Sequence, residues 1–174
     1  MIITITGKPG IGKTTVCRKV IEILEFENPS LNISGFFTEE LRKSGRRVGF
    51  EMVTTDGRYR EILAHVSYNS PIRVGKYSVN LQGVDRFSEL VLRSIDQADL
   101  VVIDEVGPME LFSKKFKEMV KKVMESKSAL ISIHKRSRDP LVEEIRRKFP
   151  PVEVTLENRD SLPVEITRMV MQWK

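Results

Sequence analysis

Short unbroken apolar runs alternate along the chain with stripes at helical spacing. Ile2 to Thr6 is a β-branched run entering the turn Gly7-Lys8-Pro9-Gly10-Ile11-Gly12, which predicts a buried strand and a sharp loop. From about Lys13 to Leu24 the apolar positions Val16, Val20, Ile21 and Leu24 share one helical face, and Asn28-Pro29-Ser30 ends that helix. Three strand-like pieces follow, Ile33 to Leu41, Val48 to Thr54 and Tyr59 to Val66, separated by Ser44-Gly45 and Asp56-Gly57; the last pair predicts a hairpin. Residues 67–83 read as irregular, with Pro71, Gly75 and Gly83 as breakers, before a helix from about Val84 to Ala98. Leu100 to Asp104 is an apolar run ending in acid. Phe112 to Met124 carries Phe112, Phe116, Met119, Val120 and Val123 at helical spacing. Ala129 to Ile133 is another buried strand. Asp139-Pro140, a cap and a first-turn proline, opens a helix to about Lys148. Val152 to Leu156 is a short strand, and Ser161 to Trp173 the last helix, with Leu162, Ile166, Met169, Val170 and Trp173 on one stripe.

Strands alternating with helices predict an α/β fold with a mainly parallel central sheet. The antiparallel block at 33–66 is an insertion or an edge of that sheet. The expected organisation is a single domain over 1–174, with an insertion at about 33–83. With 40% hydrophobic and 30% charged residues, the chain is neither disordered nor low in complexity. No apolar run is long enough to span a bilayer. Met1 to Gly7 has no basic segment before an apolar stretch and does not read as a signal peptide. The lone Cys17 excludes an internal disulfide and fits a cytoplasmic setting. Two histidines and one cysteine do not make a zinc cage.

The candidate chemistry begins at Gly7-Lys8-Pro9-Gly10-Ile11-Gly12-Lys13-Thr14, a complete G-x-x-x-x-G-K-[ST] motif between a strand and a helix. Glycines let backbone N–H groups turn inward around phosphate, and the helix start adds its positive dipole end. In that arrangement Lys13 reaches the β- and γ-phosphates of a bound nucleoside triphosphate, and the Thr14 hydroxyl binds Mg²⁺. Asp99-Leu100-Val101-Val102-Ile103-Asp104-Glu105 supplies the second half, a buried strand delivering the Asp104 carboxylate to the magnesium's water shell, the Walker B pattern. Glu105, immediately after it, is placed to orient or deprotonate an attacking water. That residue tilts the reading from transfer to an acceptor toward transfer to water. It also favours a layout with an extra strand between the Walker A and Walker B strands.

Other charged residues read more plainly. Lys8 is an exposed lysine, or one that reaches a partner's phosphate as in some dimeric ATPases. Arg136 and Arg138 follow Ala129 to Ile133 at the ligand end of a parallel sheet and are candidate phosphate sensors; His134 in the same loop is a polar residue. Arg42, Lys43, Arg46 and Arg47 form a basic hairpin tip facing solvent. Cys17 and the methionine-rich stripes are core. The formal net charge is +5, but basic residues are mixed with Glu along the chain, so a salt-bridged surface is read rather than a nucleic-acid-binding face.

Several further segments occur together: Gly35-Phe36-Phe37-Thr38-Glu39-Glu40, Gly45-Arg46-Arg47-Val48-Gly49-Phe50, Val74-Gly75-Lys76-Tyr77, Asp104-Glu105-Val106-Gly107-Pro108-Met109-Glu110 and Glu157-Asn158-Arg159. With the two nucleotide motifs they resemble the nucleoside-triphosphatase family of thermophilic microbes and animals, over nearly the whole chain. The resemblance implies a three-layer P-loop sandwich with RecA-like and nucleotide-kinase-like features. It also implies a monomeric or weakly associating Mg²⁺-dependent hydrolase of ATP, GTP, CTP and UTP with little base selectivity. The family's Gly-Lys-Thr-Thr maps to Gly12, Lys13, Thr14 and Thr15, and its acid pair to Asp104 and Glu105. Two alternatives stay open from the residues alone. One is a nucleotide or nucleoside kinase with an acceptor pocket in the 33–83 segment. The other is a nucleic-acid-dependent ATPase.

Overall fold

The computed structural model describes residues 1–173. Among these residues nine strands form one sheet: β1 (Ile2–Thr6), β2 (Ile33–Lys43), β3 (Arg46–Thr54), β4 (Arg60–His65), β5 (Arg73–Val74), β6 (Tyr77–Val79), β7 (Leu100–Val106), β8 (Ala129–Ile133) and β9 (Val152–Glu153). Five α-helices flank it: α1 (Lys13–Glu27), α2 (Leu81–Ile95), α3 (Lys114–Ser126), α4 (Pro140–Lys148) and α5 (Leu162–Met171). The strand order is β5-β6-β4-β3-β2-β7-β8-β1-β9. The strand β8 therefore lies between the glycine-loop strand β1 and the acid-bearing strand β7, the layout that Glu105 favours.

The sheet is mixed, not mainly parallel. From β2 through β7, β8 and β1 to β9 every pairing is parallel; from β2 through β3, β4 and β6 to β5 every pairing is antiparallel. The cause is connection length. Ser44-Gly45 and the turn around Asp56-Gly57 are too short for a parallel crossover, so β3 and β4 return antiparallel. The long strand β2 joins the two halves: Ile33 to Phe37 pairs with β7, while Phe36 to Lys43 pairs with β3.

Each face of the sheet buries its own core. One face is covered by α1 and α5, through Val16, Val20, Leu24, Leu162 and Ile166. The other is covered by α2, α3 and α4, through Phe87, Val91, Phe116, Val120 and Ile145. The helix starts at α2 and α3 differ from the periodicity because of their caps. The Asn80 side chain accepts from Gly83 N–H at 3.1 Å, so α2 begins at Leu81 and takes Gly83 inside. Ser113 Oγ accepts from Phe116 N–H at 3.0 Å and donates to Asp85 at 2.5 Å, which fixes the start of α3. Phe112 is left on a short 3-10 turn, 48% exposed, rather than in the core stripe. Met169 likewise faces outward on α5, whereas Cys17 is core as expected. Phe36 sits fully buried at the centre, edge-on to Phe87 at 5.8 Å and Phe116 at 5.9 Å. Phe36→Ala is expected to cost about 3–5 kcal/mol, read as a lower midpoint in chemical denaturation.

Candidate active site

The loop after β1 turns into α1 through Gly12, whose φ of 114° is a left-handed conformation that a side chain resists. Gly12 is the N-cap of α1 and no side chain caps the helix, so its first N–H groups stay free to receive an anion. The Lys13 ammonium donates to the carbonyls of Gly7 at 3.1 Å and Lys8 at 3.4 Å. It also lies 3.9 Å from the Glu105 carboxylate. The sheet order brings β7 alongside, and Thr14 Oγ1 donates to Asp104 Oδ2 at 2.5 Å. Ser132, on the intervening strand β8, donates to Asp104 Oδ1 at 2.5 Å. Asp104 is 2% exposed, and burial raises its pKa while the two hydroxyls oppose the shift. Burial also raises Glu105, and Lys13 draws it back down.

A cavity of about 300 Å³ opens from this cluster, bounded by Pro9, Gly10, Lys13 and Glu105 together with Phe50 and Leu63 from the antiparallel half of the sheet. A second hollow, of about 230 Å³, lies by Gly12, Thr15, Lys19 and Arg159. The Arg159 guanidinium donates to the Ile11 carbonyl at 3.4 Å, so the Glu157-Asn158-Arg159 segment runs against the loop. The Lys8 side chain is exposed, and Ile11 packs against the α1–α5 core. Arg136 and Arg138 are exposed and do not line the cavity, whereas His134 does, with its pKa lowered by burial and by Lys13. Arg47 is exposed, as the tip reading expects, and it also donates to the Tyr77 hydroxyl at 2.9 Å and to Glu40 at 3.1 Å and forms part of the cavity wall.

Two site residues escaped the sequence reading. One is Ser132, a hydroxyl inside an otherwise apolar run. The other is Glu110, 2% exposed, which accepts from Thr38 Oγ1 at 3.3 Å. Burial, reinforced by the charge of Glu105, pushes Glu110 up to about 8. The signal available was its place in the Asp104-to-Glu110 string. The folded chain thus keeps a proton there that the unfolded chain releases above about 4.5. Stability therefore falls as pH rises from about 4.5 through about 8. Glu110→Gln, which cannot ionise, is expected to flatten that slope. Its melting temperature should exceed wild type by on the order of 10 °C at pH 8, with little difference at pH 5.

A glycine-rich loop opening a helix, with a buried Asp on a strand one place removed, defines the P-loop NTPase class. The chain belongs to the NTPase family, whose model matches residues 2–167. It is 44% identical over 172 residues to nucleoside-triphosphatase THEP1 of Thermotoga sp. strain RQ2, covering 95% of this chain and 93% of the relative. The crystal structure of THEP1 from Aquifex aeolicus is similar at a TM-score of 0.83 and 36% identity, covering 98% of this chain and 99% of that one. The solution structure of a human cancer-related nucleoside triphosphatase matches at a TM-score of 0.78 and 35% identity, covering 99% of this chain and 98% of that one.

Proposed function

We propose that the protein hydrolyses nucleoside triphosphates to the diphosphate and inorganic phosphate, with Mg²⁺, little base selectivity and slow turnover. The observation that carries this reading is Glu105, a half-buried carboxylate 3.9 Å from the P-loop lysine and facing the same cavity. The loop N–H groups and Lys13 neutralise phosphate charge. Thr14 and Asp104 are the residues that would hold the cation, and their hard oxygens suit it. When bound, the cation would supply positive charge that offsets the charge of the phosphates. Glu105 orients water toward the γ-phosphorus and takes its proton.

Slow turnover follows from the arginines. An arginine finger is worth about 10³–10⁵ in rate. Arg47, the arginine of the cavity wall, is engaged by Tyr77 and Glu40. Base tolerance follows from a phosphate site built on backbone and Lys13, with nothing that reads as a guanine-specific Asn-Lys-x-Asp. The whole chain is read as one catalytic unit, acting as a monomer in the cytoplasm. Among the described residues no helix is long and apolar enough to cross a membrane. The test is phosphate release from ATP, GTP, CTP and UTP by wild type and Lys13→Ala. Release from all four, lost in the variant together with nucleotide binding, is the expected result. Release confined to one base would overturn the broad specificity, and an active Lys13→Ala would remove the P-loop from the chemistry.

A further inference from the structure

The first residue past β8 is held from three directions. Thr6, the last residue of β1, donates its hydroxyl to the Ile133 carbonyl at 3.0 Å, just before the glycine loop begins. The His134 N–H donates to the carbonyl of Val106, the residue after Glu105, at 3.3 Å. The Arg146 guanidinium, from α4, reaches the carbonyls of His134 and Lys135, each at 3.4 Å. Because β8 lies between β1 and β7, His134 leaves the sheet between the phosphate loop and Glu105. Open α/β sheets bind ligands at this end of their strands.

The imidazole is oriented as well as placed. The Arg136 N–H donates to Nδ1 at 3.3 Å, and an accepting Nδ1 puts the ring proton on Nε2. Burial, and after it the charge of Lys13, lowers the pKa of the half-buried ring, which favours the neutral form. With Nδ1 engaged by the backbone, the polar atom left for a ligand is Nε2, a donor. The ring lines the cavity together with Lys13 and Glu105. The nearby arginines are placed otherwise: Arg136 and Arg138 do not line the cavity, and Arg47 bonds to Glu40 and Tyr77.

We infer that His134 contacts the terminal phosphate: its Nε2–H donates to a γ-phosphate oxygen, distinguishes a nucleoside triphosphate from a diphosphate, and steadies the γ-phosphoryl group for the water held by Glu105. An uncharged donor offsets less phosphate charge than an arginine finger, in keeping with slow turnover. The inference rests on the proposed hydrolysis, in which the γ-phosphate lies between Lys13 and Glu105.

The experiment measures by calorimetry the affinity of wild type, His134→Asn and His134→Gln for Mg-ADP and for the Mg²⁺ complex of the β,γ-imido analogue of ATP. Asn places an amide oxygen near the Nδ1 position and can still accept from Arg136, but it stops short of the phosphate. Gln places an amide nitrogen near the Nε2 position and gives up the Nδ1 contact. His134→Asn should bind the analogue about tenfold more weakly, the equivalent of about 1.4 kcal/mol for a hydrogen bond to a charged group, with ADP affinity unchanged. His134→Gln should recover most of the loss. Equal weakening of both nucleotides, or no weakening, in folded His134→Asn overturns the inference, and so does a larger loss in Gln than in Asn, which would assign the ring to holding its loop. Thermal unfolding reports whether the variants are folded.

Wild type supplies a second readout that needs no variant. The chain has two histidines, so ring ¹⁵N NMR of histidine-labelled protein shows two imidazoles. The His134 Nε2 signal should move with the imido analogue and not with ADP; no movement with the analogue overturns the inference. Discrimination by His134 without phosphate release from Mg-ATP would leave this contact standing and remove the hydrolase reading. Phosphate release without discrimination would do the reverse.

Discussion

Glu105→Gln is expected to lower turnover by about 10²–10⁴-fold, the range a positioned general base contributes, with nucleotide affinity close to wild type. The substitution keeps the side chain's shape and removes the proton-accepting charge. Phosphate contacts come from the loop N–H groups and Lys13, which the change leaves in place. Removing the carboxylate 3.9 Å from Lys13 takes away a competitor for that ammonium, so binding has no reason to weaken. The measurement pairs steady-state phosphate release with the Kd of a fluorescent nucleotide. Turnover unchanged, with affinity lost, would assign Glu105 to holding Lys13 and not to the attacking water.

A second large effect is expected at Gly107, which contributes no side chain to the site. A methyl group placed there would lie 2.8 Å from Glu110 Oε2 and 3.0 Å from Glu105 Oε1. Both are closer than packed atoms tolerate, and both belong to side-chain ends that move before the backbone does. Gly107→Ala should therefore leave the fold intact while pushing the Glu105 carboxylate off its position. A displacement on the order of 1 Å at a catalytic group costs about 10²-fold in rate. The expected outcome is that loss in kcat with a melting temperature within a few degrees of wild type. Full activity in Gly107→Ala would show that the position of Glu105 is not tightly held.

The parts of this account legible in the sequence are those with local causes. The glycine loop is set by its own residues between a β-branched run and a helix. The helix Pro140–Lys148 is announced by Asp139, which accepts from Leu141 N–H at 2.9 Å as its spacing predicts. The starts of α2 and α3 were not legible, because distant groups hold their caps in place. Asn80 is fixed through the Ile62 carbonyl and the Tyr68 hydroxyl, and Ser113 through Asp85. The mixed sheet was legible in part, since the antiparallel block at 33–66 could be an insertion or an edge of the sheet and the fold makes it the edge. Hairpin turns predict that β3 and β4 pair with their neighbours, but not that β2 will join them to β7 and extend one continuous sheet.

The candidate site divides in the same way. Lys13, Thr14 and Asp104 are recognisable because spacing fixes their chemistry, and they meet across the sheet. Glu110 was invisible as a titrating group because its altered pKa comes from burial and from Glu105, neither of which a linear pattern contains. Arg47 is exposed as its place at the tip predicts, but its contact with Tyr77, thirty residues later in the chain, comes from the fold.

The central claim is that the γ-phosphoryl group passes to a water held by Glu105. It is tested most directly by letting the wild-type protein turn over Mg-ATP in H₂¹⁸O and weighing both products by mass spectrometry. The account predicts one ¹⁸O atom in the inorganic phosphate and none in the diphosphate. Label in the diphosphate, or pyrophosphate as the released product, would place the attack at another phosphorus and contradict it.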